Sequence, residues 1–349
     1  MKNLGKSIVA ILTVFSVGFL GACSSDADPR QSVTLLAYDS FTVPEDAFAE
    51  FTVETGIDVD IALGGDAGEL TAKVALTSGN PEGDVFWGVD NALLARLVET
   101  NAFDPYVSLV APIDQSLIES GQGVVTPVDF GFVCVNYDVA AFDALGLEPP
   151  MSLDDLTRPE YRGMLVVPDA TASSPGFAFV LATVSAFPET WSEFWKQLMD
   201  NDVAIAADWT DAYYTQFTRH GGDRPLVVSY STSPPAEVIF SDPPLAADAP
   251  APTGVVEDTC FQQIEFAGVL RGSDNVDAAR ALVDFLVGRE FQELLPENLF
   301  VYPANRDASL PDSFVRYAEP ISEPWTLSSG DITRRRVEIL DEWLRRVQR

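Results

Sequence analysis

The chain has 349 residues, 47% of them hydrophobic, and carries 53 Asp and Glu against 21 Lys and Arg, a formal net charge of −32 at pH 7. That length buries a large core and, at roughly 100 to 200 residues per domain, suits two domains. So acidic a surface repels nucleic acid and anionic lipid and attracts cations, and with a single histidine, His220, the chain has little scope for histidine-based metal sites or a Ser-His-Asp triad.

Lys2 and Lys6 precede an almost wholly apolar run over 8–19, followed by Leu20-Gly21-Ala22-Cys23 and the polar Ser24, Ser25 and Asp26. A positive segment, an apolar stretch and small residues before a cleavage point are the parts of a signal peptide. The run is too short for a transmembrane helix, which takes roughly 20 apolar residues. A small-residue pair directly before cysteine is the lipobox pattern. It predicts a signal peptide over 1–22, lipid on Cys23 and a polar tether over 23–32. The mature chain then carries 19 basic against 53 acidic residues, or −34, because only Lys2 and Lys6 are removed.

From residue 33 short apolar runs alternate with amphipathic segments, the pattern of an α/β protein. Strands are expected over 33–38, 57–63 and 84–89. Helices are expected from Pro44 to the stop at Gly56, over 67–78 and over 91–99. This β-α-β-α-β-α run implies a mostly parallel sheet. A second unit follows the apolar run 124–137, with strands near 164–168, 203–206 and 226–229 and helices near 177–185, 190–200 and 209–219. The Pro-, Ala- and Asp-rich stretch 242–252 reads as an exposed loop. A strand over 260–268 and a helix over 275–287 come next. The segment 331–349 reads as an amphipathic helix whose five arginines between Arg334 and Arg346 form a solvated face. His220, within the polar run 219–223, reads as a loop residue.

Cys134 and Cys260 remain once Cys23 is assigned to lipid. Both lie in apolar, strand-like runs of an exported chain, where disulfides persist. Pairing requires Cα atoms within roughly 7 Å, so at this point a bridge and two buried thiols stay equally open.

No phosphate-binding glycine loop, metal-spaced Cys/His cluster or nucleophile elbow is present. What recurs is a set of aromatic and small polar residues just after the expected strands: Tyr38-Asp39-Ser40-Phe41, Gly88-Val89-Asp90-Asn91, Ser173-Ser174-Pro175-Gly176, Asp208-Trp209 with Tyr213, and Ser229-Tyr230-Ser231-Thr232-Ser233. Open α/β sheets bind ligands outside the carboxyl ends of their strands, so five such loops point to a cleft.

These segments, together with Asp129-Phe130-Gly131 and Tyr302-Pro303 with Asn305, occur in an order and spacing that resemble the thiamine-binding proteins of bacterial ABC importers. That family lies within a wider group of two-domain solute-binding proteins that also takes ferric iron and polyamines. The resemblance implies an α/β periplasmic-binding-protein fold of the type II class, with mixed, mostly parallel sheets and two lobes joined by hinge strands. Lobe 1 is then 33–130 plus 265–300, and lobe 2 is 131–264 plus 301–349. Cys134 and Cys260 fall on neighbouring hinge strands, which makes their disulfide the favoured reading.

The resemblance further implies a thiamine ligand or related small cation, an ABC permease and its ATPase as partners, a monomer, no cofactor and no catalysis. Aromatic faces attract cations by roughly 0.5 to 2 kcal/mol, and Tyr38, Trp209, Tyr213 and Tyr230 are expected to supply them. Asp39 and Asp90 are expected to offset charge, with Ser40 beside them. Ser173, Ser174 and the backbone near Gly176 open a helix whose N–H groups suit a hydroxyl or phosphate end. Phe300 stands where the family has tryptophan, and a second tryptophan after the first strand is missing. Alternatives are a ferric carrier using Tyr213 and Tyr214, a polyamine carrier, and an extracellular thiamine-degrading transferase, which would need a cysteine at the cleft.

Overall fold

A computed structural model of the protein describes residues 31–246, 249–318 and 321–348. The expected signal peptide, Cys23 and the tether up to Arg30 lie outside the described residues.

The described residues contain a ten-stranded sheet. Its strands are β1 (Ser32–Ala37), β2 (Asp58–Leu63), β3 (Val85–Asp90), β4 (Phe103–Asp104), β5 (Thr126–Asp138), β6 (Leu165–Pro168), β7 (Ala204–Ala206), β8 (Leu226–Tyr230), β9 (Thr253–Leu270) and β10 (Tyr302–Pro303). The order is β2-β1-β3-β9-β5-β8-β6-β7, with β10 on β5 and β4 on β9. β5 and β9 form a long antiparallel pair that runs from Thr126 opposite Ala267 to Asp138 opposite Thr253, with register shifts after Pro127 and after Val133. One parallel set, β2-β1-β3, attaches to the C-terminal end of β9 at Val269 to Glu265. The other, β8-β6-β7, attaches to β5 at Val133 to Tyr137. This is the expected mixed α/β architecture.

Burial explains why these segments are strands. Every residue of β3 (VFWGVD) and β6 (LVVP) is buried, as parallel strands covered on both faces require. Cys134 and Cys260 are joined by a disulfide across β5 and β9, with Cα atoms 4.1 Å apart, so the pairing favoured by the resemblance holds in the structure.

The helix Ser174–Ala186 is apolar on all sides and buried over 174–184. It packs on β5, β6, β8 and β9, and Thr183 accepts the indole N–H of buried Trp195 at 3.0 Å. Trp195 in turn meets Trp343 edge to face at 5.8 Å, docking the C-terminal helix Ser329–Val347. Truncating so buried an indole to alanine costs about 3 to 5 kcal/mol.

The structure corrects several sequence expectations. The first helix begins at Ala49 rather than Pro44. The helix expected over 209–219 is three short turns, Trp209–Asp211, Ala212–Gln216 and Thr218–His220. Arg336 leaves the solvated arginine face: its guanidinium lies 5.5 Å over the ring of Phe177. Helices Val139–Leu145 and Ser233–Ile239 were not foreseen; the second carries a proline pair, which is acceptable in a first helical turn where N–H groups have no partner anyway.

Candidate ligand-binding cleft

A cavity of about 680 Å³ opens where the carboxyl ends of β1, β7 and β8 converge. Asp39 donates its N–H to Gly65 at 2.9 Å, joining the loop after β1 to the turn before the helix Ala67–Leu76. That helix is capped by Asp66, whose carboxylate accepts the Ala67 N–H at 2.6 Å. Trp209 follows β7, Tyr230 ends β8 and Ser174 begins its buried helix.

Eight residues singled out in the sequence line the cavity: Tyr38, Asp39, Ser40, Ser174, Trp209, Tyr213, Tyr230 and Phe300. Trp209 and Tyr213 stack with centroids 5.2 Å apart and planes 22° apart, while Tyr230 stands at 64° to the indole, 6.5 Å away. The Trp209 N–H donates to Ser229 at 3.0 Å, and Ser229 bonds Ser233, so the indole is fixed from two sides. Phe300 adopts a left-handed backbone (φ 55°). Its carbonyl accepts the Thr232 hydroxyl at 2.5 Å and its ring packs between Phe240 and Phe314.

Three expected site residues lie behind the wall instead. Asp90 is fully buried. Its carboxylate is spent on the N–H groups of Ala92 and Leu93 at 2.9 and 2.8 Å and on the Ser174 hydroxyl. Ser173 is buried at the N-cap of its helix. Gly176 packs against the strand before it, where an added Cβ would stand 2.3 Å from the Pro168 carbonyl. These three shape the wall without reaching the space inside.

The structure adds acids that the sequence did not reveal. Asp66, Glu237, Asp242 and Glu265 line the cavity along with Asp39. Burial raises the pKa of Asp66 to about 6, opposed by the bond from Ala67, and burial likewise raises that of Asp90 to about 6, opposed first by Ser174. Glu237 behaves differently. Burial pushes its carboxyl up, but bonds from His220, Arg219 and Tyr213 outweigh it and hold it below the usual range. Their distances are 2.9, 2.8 and 2.7 Å. His220 therefore belongs to the cavity wall and not to a plain solvent loop. Among the described residues, no lysine or arginine pairs with Asp39, Asp66, Asp242 or Glu265.

Glu265 sits at the centre of a row. On β3 the register shifts between Trp87 and Val89 and places Asp90 opposite Glu265. On β5 it shifts between Pro127 and Asp129 and places Asp129 opposite the same residue. Each irregularity is a β-bulge, which inserts one residue and moves all that follow to the other face. The result is Asp90, Glu265 and Asp129 side by side, exposed by 0%, 5% and 1%. Glu265 accepts the Tyr38 hydroxyl at 3.2 Å and the Gln263 amide at 3.0 Å. Both carboxyl oxygens of Asp129 lack a hydrogen-bond partner. Burial, together with Asp129 and Asp90, drives the Glu265 pKa well up, and burial does the same to Asp129.

Two parallel strand sets on a shared pair of long strands, with a ligand-sized aromatic and acidic cavity at the carboxyl ends, define a solute-binding protein. Residues 80–320 match the family described as bacterial extracellular solute-binding protein, and the chain belongs to that family, whose members bind solutes and are not enzymes. A thiamine-binding periplasmic protein of Brucella abortus is 24% identical over 346 residues, which is 97% of this chain and 98% of that one. A solved periplasmic thiamin binding protein superposes with a TM-score of 0.78 at 23% identity, covering 92% and 97% of the two chains. A ferric binding protein from Campylobacter jejuni superposes with a TM-score of 0.72 at 15% identity, over 90% and 99%. Thiamine- and ferric-binding proteins thus share the fold of this chain.

Proposed function

We propose that the protein captures thiamine outside the cytoplasmic membrane and delivers it to an ABC permease and its ATPase, tethered as a monomer through lipid on Cys23. The observation that carries this reading is one cavity in which the Trp209, Tyr213 and Tyr230 rings meet the carboxyl groups of Asp39, Asp66, Asp242 and Glu265, none of them paired with a lysine or arginine among the described residues, while Glu237 alone is held by Arg219. Thiamine couples a permanently charged thiazolium to a flat aminopyrimidine. It therefore wants aromatic faces for stacking and cation–π contact, and carboxylates both to accept from the amino group and to offset the charge. The relatives that bind thiamine span nearly the whole chain.

In this reading lobe 1 is 33–130 plus 265–300, lobe 2 is 131–264 plus 301–349, and the two close on the ligand about β5 and β9. The bond from Ser174 to Asp90 then joins the lobes in the closed form. A ferric reading fits less well. Tyr213 would have to bind iron as a phenolate, yet burial and the neighbouring Glu237 carboxylate push its pKa well above the ordinary value.

Tryptophan fluorescence tests the assignment. Thiamine should quench the emission of the wild type, and Trp209→Phe should remove most of the quench. An unchanged spectrum at millimolar thiamine would sink the reading.

A further inference from the structure

Glu265 and Asp129 face one another across β9 and β5, with Asp90 on the far side of Glu265. The groups around the pair are Tyr38 from the end of β1, Asp66 from the cap of its helix, Asp90 from β3, Tyr230 from β8 and Gln263 from β9 itself. None of these is a cation. Arg336, from the C-terminal helix, acts on Asp90 from behind. Glu265 reaches the cavity, whereas Asp129 is 1% exposed with both oxygens unpartnered.

Two adjacent carboxylates cannot both be ionised in so dry a place without a compensating charge, because like charges and desolvation each disfavour the second ionisation. One proton between them is the arrangement that costs least, as in other paired carboxyl groups that titrate as a unit.

We propose that Asp129 and Glu265 hold one proton between them while the cleft is empty, and release it to solvent when the positive charge of the ligand settles beside Glu265. The inference rests on the cationic ligand proposed above. The step balances: one carboxyl O–H bond breaks, the proton leaves for water, and the pair passes from a charge of −1 to −2 as a +1 ligand arrives. The buried charge is then the same in the loaded and empty states. A neutral analogue of the ligand finds no such exchange, so the pair selects for charge as the aromatic wall selects for shape.

Calorimetry on the full chain, in two buffers of different ionisation enthalpy at neutral pH, counts the protons. Wild type should release about one proton per thiamine bound, and its affinity should climb about tenfold per pH unit below the titration of the pair. Release should vanish in Glu265→Gln and Asp129→Asn. Infrared difference spectra of the wild type need no variant to fold. They should show a protonated carboxyl in the ligand-free protein that disappears on loading. Binding heat without proton release, or a ligand-free protein without that band, overturns the exchange. Absence of heat from thiamine contradicts the ligand assignment instead, and choline and spermidine then serve as the cations. If they bind without releasing a proton, or all three are silent, the exchange falls as well.

Discussion

Tyr38 lies over Gly88 so closely that a Cβ at position 88 would stand 2.3 Å from its ring. Gly88 also has φ 95°, a backbone conformation that side chains disfavour. The glycine makes the bulge that brings Asp90 level with Glu265, and its bareness lets the Tyr38 hydroxyl reach Glu265. Gly88→Ala should therefore lose about 1 to 3 kcal/mol of stability through backbone strain and overpacking, and should weaken ligand binding by tilting Tyr38. Urea unfolding and a thiamine titration of the variant check both. An unchanged midpoint and affinity would mean that the Tyr38 contact is slack.

Stability of the ligand-free protein should fall as pH rises. Asp66 and Asp90 titrate near 6 in the fold against about 4 in an unfolded chain, and Asp129 and Glu265 are also raised. A raised carboxyl contributes its full share only below its unfolded value. That contribution is lost as pH climbs through the folded value. The urea midpoint should thus decline from about pH 4 past pH 6. Asp129→Asn should be more stable than wild type at neutral pH by about 1 to 3 kcal/mol, since folding no longer has to draw the pair's shared proton from neutral solution, and equal to it in acid. A variant that is destabilised at neutral pH would show that the ionised Asp129 supports the empty fold.

Much of the strand and helix pattern and most of the cavity's aromatic wall were legible in the residues, whereas the pairing of Cys134 with Cys260 followed only from the family resemblance. Tyr38, Trp209 and Tyr230 sit just after apolar runs, where a sheet of this kind places its ligand. Apart from Asp39, the cavity's acids were not legible. Glu265 and Asp129 lie inside strands, and which face they take depends on two bulges that no alternation pattern announces. Gly88 within β3 was the available signal, because glycine inside a strand marks a bulge or a close approach. Asp90 misled for the opposite reason. An acid at a strand end looks like a ligand group, but this one caps the following turn. His220 looked like a loop residue because Glu237, its partner, lies on a helix that was not foreseen.

Trp209→Ala should weaken thiamine binding by about 2- to 30-fold, the equivalent of roughly 0.5 to 2 kcal/mol for one aromatic face against a cation. Tyr213 would lose its stacking partner at the same time, so Trp209→Phe should recover part of the loss. Equal affinities for wild type and both variants would remove the indole from the binding account.

The bridge between Cys134 and Cys260 closes a loop of 126 residues. Replacing both with serine should cost about 2 to 5 kcal/mol in urea unfolding, with ligand binding retained at low denaturant because neither sulfur lines the cavity. Thiol counting on denatured, unreduced protein should find neither cysteine free. Two free thiols would contradict the bridge outright.

The central claim is that this cleft takes a flat organic cation, and thiamine in particular. Titration calorimetry with thiamine, spermidine and ferric citrate, each against the same protein at neutral pH, tests it most directly. The account predicts saturable heat from thiamine with one site per chain and micromolar or tighter affinity, and little from the other two. Silence with thiamine alongside saturable heat from spermidine or ferric citrate would contradict it.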